Sequence, residues 1–220
     1  MAPRASASPK RLAVLLSGSG TTLQNLIDRI QSGTLRNAQI SVVLSSRAGA
    51  GGLERARKHD IPTVLVESKR YRTLVQESGK TVPDWGAMSE AVTAALAPYK
   101  PDILVLAGYM CFYKLPPQWE CGRCLNYGNA VLNANIVLCK AKVHPSLIPA
   151  FSGEGMYGDL VHRAVVKRGV KVCNVSSSDS WESVRDKVVA AEREALPEAI
   201  QLLIDDRLKV TDGIVEVVDD

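Results

Sequence analysis

Apolar positions fall into short continuous runs separated by stretches with a helical period. Residues 11–16 read Arg-Leu-Ala-Val-Leu-Leu, the pattern of a central parallel strand buried on both faces. Leu23, Leu26, Ile27 and Ile30 then keep the i, i+3, i+4, i+7 spacing of an amphipathic helix that Ser32 and Gly33 should end. Residues 40–44 give a second strand, and a glycine-rich approach leads into a helix through Leu53, Glu54, Arg55 and Ala56. Residues 61–66 give a third strand, with Pro62 near its start, where a missing donor is tolerated. Residues 67–83 are polar and read as loop with some helix. Asp84 is placed to cap a helix whose face is Trp85, Met88, Ala91, Val92, Ala95 and Leu96, closed by Pro98. A fourth strand, 102–107, ends in Gly108, Tyr109 and Met110.

The second half repeats the alternation. A helix is expected over 156–168 and a strand over 170–175. Asp179 and Glu182 have the spacing of a capping box ahead of a long helix through Trp181, Val184, Val188 and Ala191, which Pro197 should kink or divide. Residues 214–218 read as an edge strand. The alternation of strand and helix predicts an α/β fold, a doubly wound, mostly parallel sheet whose ligands bind beyond the carboxyl ends of the strands. A short disordered leader over 1–10 and a single domain over 11–220 complete the expected organisation.

Composition narrows the function. The 220 residues are 46% apolar and 23% charged, which excludes a disordered chain, and no apolar run approaches the ~20 residues of a membrane span. The leader lacks the apolar core of a secretory signal. A net charge of +4 spread along the chain suits a small anionic ligand better than nucleic acid or a membrane. Five cysteines form no disulfide framework, so a reducing, cytoplasmic setting is expected.

Two stretches carry candidate chemistry. Ser17, Gly18, Ser19, Gly20, Thr21 and Thr22 join a buried strand to a helix start, where amides, hydroxyls and the helix dipole converge on an anion such as phosphate. A tight turn needing glycines for geometry alone gives the same pattern, because neither the Walker sequence nor the full dinucleotide fingerprint is present. His144 stands between an apolar run and Pro145, with Pro149 closing the loop. Its imidazole titrates near neutrality in a segment that has little freedom to relax, although a strand-end histidine without chemistry fits the same residues.

Taken together, residues 17–24, 52–56, 106–110, 144–149 and 191–193 resemble the glycinamide ribonucleotide transformylases (phosphoribosylglycinamide formyltransferases) of purine biosynthesis. The resemblance covers nearly the whole chain and implies a Rossmann-like formyltransferase fold. It also implies transfer of a formyl group from 10-formyltetrahydrofolate to the amine of glycinamide ribonucleotide. On that resemblance Gly20, Thr21 and Thr22 hold the substrate phosphate, and Glu192 accepts from its ribose hydroxyls. Met110, Cys111, Phe112 and Tyr113 line the folate pocket, while His144 and Asn126 act in proton transfer and oxyanion stabilisation. Gly20→Val is then expected to weaken substrate binding and leave the fold largely intact.

Three departures from the family pattern stand out. Lys142 occupies the position two before the histidine where the family has asparagine, while residues 122–126 match the lead into that asparagine. Residues 127–142, sixteen in all, therefore read as inserted inside the catalytic motif, at Asn126. After Val175, Ser176, Ser177 and Ser178 run into the last helix where the family has a loop with a catalytic aspartate, and Cys111 stands in place of an arginine. A translated intron and a lost coding segment account for the first two; a real insertion in a divergent protein is the alternative. Asn126 should end a buried strand within about 10 Å of His144 if the pair is assembled. Cys121, Cys124, Cys139 and His144 have a spacing zinc ligands use, but the first two lie partly within the family lead-in and no metal is expected. The readings carried forward are a transformylase, slow or silent as written; a catalytically impaired substrate-binding homologue or damaged gene model; and another folate-dependent formyl enzyme, such as a formyltetrahydrofolate hydrolase or a transfer-RNA formyltransferase. The Gly-Ser-Gly-Thr-Thr loop speaks against the last.

Overall fold

The computed structural model describes residues 8–75, 80–120, 124–127, 142–143, 180–211 and 214–218. Six parallel strands form the central sheet: β1 (Lys10–Leu16), β2 (Ala38–Ser45), β3 (Thr63–Leu65), β6 (Ile103–Ala107), β7 (Cys124–Tyr127) and β8 (Lys142–Val143). Their order is β3-β2-β1-β6-β7-β8. From β1 the chain winds outward through β2 and β3, then returns to the other side of β1 with β6. The winding direction therefore reverses between β1 and β6, and crevices at such reversals are where doubly wound sheets bind ligands.

The twofold alternation of β1 builds both faces. Leu12, Val14 and Leu16 pack with Leu23, Leu26 and Ile27 of α1 (Thr21–Gln31) and with Leu196, Ile200 and Ile204 of a long final helix. Ala13 and Leu15 face Met88, Val92 and Leu96 of α3 (Trp85–Leu96). α2 (Gly51–Lys58) joins the first face through Leu53 and Ala56, and α4 (Pro117–Glu120) brings Trp119 to the second. At the opposite end from the crevice, Asp102 Oδ2 accepts from the Arg11 amide at 2.8 Å and from Arg11 Nε at 3.2 Å, tying the starts of β1 and β6 together. Burial pushes the Asp102 carboxyl up, but the Arg11 hydrogen bonds and charge outweigh it and hold it below its ordinary range.

Several sequence expectations change. Lys10, placed in the leader, already opens β1, its amide donating to the Asn37 carbonyl at 2.8 Å. The third strand is shorter than 61–66, although Val43 still donates to the Pro62 carbonyl. Polar residues 67–83 contain a 3₁₀ turn (Ser68–Arg70) and an antiparallel hairpin of β4 (Arg72–Val75) and β5 (Lys80–Pro83). Thr73, Leu74 and all of β5 are exposed, so no buried alternation marks these strands in sequence. The final helix, α5 (Trp181–Ile204), is capped by Ser180, whose hydroxyl accepts from the Ser183 amide at 3.2 Å; Asp179, expected to open a capping box, lies outside the described residues. It continues through Pro197 undivided. Residues 214–217 form β10 (Ile214–Val217), paired antiparallel with β9 (Leu208–Thr211) and not with the main sheet. The helix expected over 156–168 and the strand over 170–175 lie outside the described residues.

Candidate functional site

The loop after β1 leaves the sheet at Ser17, which is buried, and reaches α1 through three exposed or half-exposed residues. Gly20 is the N-cap of α1 at φ 74°, with no side chain capping the helix and no acidic residue in its first turn. The free amides and the dipole of that turn are therefore available to an anion. A side chain at Gly20 is excluded twice over: its φ is left-handed, and a Cβ would sit 2.5 Å from the Cα of Gly52. This Gly20–Gly52 approach seats the first loop on the start of α2, where the Gly52 amide also donates to the Gly18 carbonyl at 3.1 Å. The expectation that Gly20→Val spares the fold is thus corrected. Arg55 of α2 completes the seating, donating from Nε to the Ser19 carbonyl at 2.9 Å and from Nη1 to Gln24 Oε1 at 3.2 Å.

Across the crevice, Gly108 has φ 68° and turns the chain after β6 back toward β1. The Ser17 amide donates to the Gly108 carbonyl at 3.1 Å, and the Met110 amide donates to Ser17 Oγ at 2.8 Å. Ser17 Oγ also lies 2.6 Å from Ser46 Oγ, at the end of β2. Three strand ends are thus joined through one buried hydroxyl. Neither Ser17 nor Ser46 stands out individually in the sequence; the available signal is that Ser17 is the first polar position after a fully buried strand end and Ser46 the second after another.

A cavity of about 640 Å³ opens beside this junction at the carboxyl ends of β1, β2 and β3. Ser17, Gly18 and Ser19 form one wall, residues 46–51 a second, and Glu67, Ser68 and Lys69 a third. Buried Glu67 holds Lys69 at 2.9 Å and Arg70 at 3.0 Å. The hydrogen bond from Lys69, helped by Arg70 and opposed by burial, keeps the Glu67 carboxyl below its ordinary range. Of the loop residues assigned to phosphate, Thr21 is exposed and Thr22 half-buried.

The stretch 110–113 divides into two roles. Met110 is 48% exposed and faces outward at the mouth of the crevice loop, with Phe112 half-buried. Cys111 is half-buried; burial pushes its thiol up, opposed by the nearby Ser46 and Ser68 hydroxyls and Arg47, so it is protonated at neutral pH. Tyr113 is only 1% exposed and its hydroxyl lies 2.8 Å from Thr93 Oγ1. Because Thr93 Oγ1 donates to the Ser89 carbonyl at 2.8 Å, the tyrosine is the donor in that pair. Tyr113 therefore anchors the loop to α3 from behind. Tyr109 is also buried, and its hydroxyl is the one buried side-chain polar atom without a partner among the described residues.

Asn126 lies in β7, opposite Leu106 of β6 and Lys142 of β8, while Tyr127 pairs with Val143. The two ends of the sixteen-residue excursion are therefore side by side, on strands about 4.8 Å apart. His144, Cys121 and Cys139 lie outside the described residues, and Glu192 belongs to α5, its side chain outside the described set. Among the described residues no group of three or more His, Cys, Asp or Glu is placed to hold a metal, and no helix is long and apolar enough to cross a membrane.

Residues 10–177 match the model of the formyl transferase family. The chain is 28% identical to a phosphoribosylglycinamide formyltransferase of Haemophilus influenzae, over 93% of this chain and 92% of that protein. It is also 28% identical to the trifunctional purine biosynthetic protein adenosine-3 of Homo sapiens, covering 88% of this chain but 18% of that protein. The chain thus spans less than a fifth of the length of that larger relative. Among solved structures, glycinamide ribonucleotide transformylase 1 from Symbiobacterium toebii superposes with a TM-score of 0.70 at 27% identity, covering 96% of this chain and 95% of that one. With its parallel sheet, its reversal between β1 and β6 and its glycine loop on an uncapped helix, the chain belongs to the formyl transferase family.

Proposed function

We infer that this chain transfers a formyl group from 10-formyltetrahydrofolate to the amine of glycinamide ribonucleotide, in a single domain and in a reducing, cytoplasmic setting. The observation that carries the reading is the junction at Ser17, which sets an anion-ready helix start beside the 108–113 loop at the sheet's reversal point. Its support from similarity is the Haemophilus influenzae relative, matched over nearly its whole length.

In this reading the first turn of α1, Gly20 with Thr21 and Thr22, holds the substrate phosphate, and Glu192 takes the ribose hydroxyls. Met110, Cys111 and Phe112 border the folate, with Tyr113 as their support. The substrate amine attacks the formyl carbon, the new C–N bond forms, and the bond to the folate N10 breaks. The proton lost by the amine is replaced by one gained at N10, so the transfer is redox-neutral. His144 handles that proton and, with the Asn126 amide, stabilises the oxyanion of the tetrahedral intermediate.

The register Asn126↔Lys142 supports a second element of the reading. Asn126 sits one strand away from the segment that delivers His144, so the oxyanion donor is displaced and the transfer is slow. The test offers the purified chain 10-formyltetrahydrofolate with glycinamide ribonucleotide, with initiator transfer RNA, and with water alone. Formylation of the ribonucleotide is expected. Preferential formate release or RNA formylation would transfer the chain to another activity, and binding without turnover would leave it a substrate-binding homologue.

A further inference from the structure

Ser17 makes more contacts than a turn requires. Its amide already closes the loop onto Gly108, so the hydroxyl is free for other work. That hydroxyl is buried, accepts from the Met110 amide at 2.8 Å and contacts Ser46 Oγ at 2.6 Å. The Ser46 amide donates to the Leu16 carbonyl at 3.2 Å, which holds the end of β2 against β1. Displacing Ser17 Oγ therefore loosens Met110 directly, while the anion-ready turn of α1 begins only three residues after it. Formyl transfer needs the two reactants aligned, and a misplacement of about 1 Å can cost about 10²-fold.

We propose that Ser17 is a positioning residue that sets the phosphate-holding loop in register with the 108–113 loop, so that filling one favours filling the other. This rests on the reading given under Proposed function. In this role Ser17 acts through the Met110 amide. The contact predicts a positive coupling between the two ligands, because each orders a loop that the other also needs ordered.

The experiment uses the full chain, its Ser17→Ala variant, and Ser41→Ala as a control that removes a serine hydrogen bond to the Leu12 carbonyl elsewhere in the same sheet. Glycinamide ribonucleotide is titrated calorimetrically with and without tetrahydrofolate, which has no formyl group to transfer, and amide exchange is followed at Met110 and Val14. In the parent each ligand should tighten the other by about fivefold or more. Ser17→Ala should abolish that coupling, change each single affinity less than about threefold, and speed Met110 exchange about fivefold with Val14 unchanged. Ser41→Ala should keep the coupling. Unchanged coupling in Ser17→Ala, or equal loss in Ser41→Ala, overturns the proposal. If the parent binds neither ligand, the functional reading fails by itself, and unaltered Met110 exchange in Ser17→Ala still overturns the role given to the hydroxyl.

Discussion

Asn25 of α1 donates from Nδ2 to the carbonyl oxygen of Arg193 in α5 at 2.9 Å. Pro197 lies four residues after Arg193 and has no N–H, so this carbonyl is the one the proline leaves without its helical partner. The asparagine supplies the missing donor from the neighbouring helix. Arg29 pairs with Glu194, and the Arg36 amide donates to Gln201 Oε1 at 2.8 Å, extending the same seam. The turn so fixed also carries Glu192, the residue assigned to the ribose.

A double-mutant cycle tests this compensation. Asn25→Ala should cost about 1 kcal/mol in denaturant unfolding, the usual net worth of one hydrogen bond. In a Pro197→Ala background the helix satisfies its own carbonyl, and the same substitution should cost less than about half as much. Strictly additive losses would mean that Asn25 and Pro197 are unrelated.

Gly20 and Gly18 should separate folding from binding. Gly20→Ala meets both a left-handed φ and the Gly52 backbone, so it should destabilise the fold by about 2–4 kcal/mol. Gly18 is exposed, borders the cavity and has nothing within 4 Å of a built Cβ. Gly18→Val should stay within about 0.5 kcal/mol of the parent while weakening glycinamide ribonucleotide binding at least about tenfold. Full affinity in folded Gly18→Val would remove this loop wall from the binding site.

Acid should reveal the Arg11–Asp102 tie. The Asp102 carboxyl is held below its ordinary value of 3.8, so the unfolded chain takes up that proton first as pH falls. Its contribution is complete above the unfolded value and disappears as pH drops through the lower folded one. Asp102→Asn should therefore reduce stability at neutral pH and flatten the stability curve below about pH 4. Parallel curves for parent and variant would show that the group titrates alike in both states.

What the sequence made legible follows from burial. Residues 12–16 and 103–107 are apolar without interruption because they are covered on both faces, and Leu23, Leu26 and Ile27 show the period of a helix with one buried face. The hairpin of β4 and β5 escaped notice because exposed strands leave no such pattern. Pro197 is expected to kink or divide the final helix; the helix runs on undivided, and only the fold brings Asn25 to the vacant carbonyl. The crevice loops were visible as glycine-rich strand ends, whereas the Ser17–Ser46 contact spans 29 positions and has no local signature.

The most direct test of the account is the rate of folate-dependent formylation of glycinamide ribonucleotide by this chain and by a version without residues 127–142, which rejoins Asn126 to Val143 and His144. The Asn126↔Lys142 pairing places the asparagine beside, and not within, the strand that leads to the histidine. Returning one oxyanion donor is worth about 10²–10³-fold in kcat. The expected result is slow formylation by the chain as it stands and a gain of about that size on deletion. Equal rates would contradict the displaced-donor account, and no ribonucleotide formylation by either protein would contradict the assigned reaction itself.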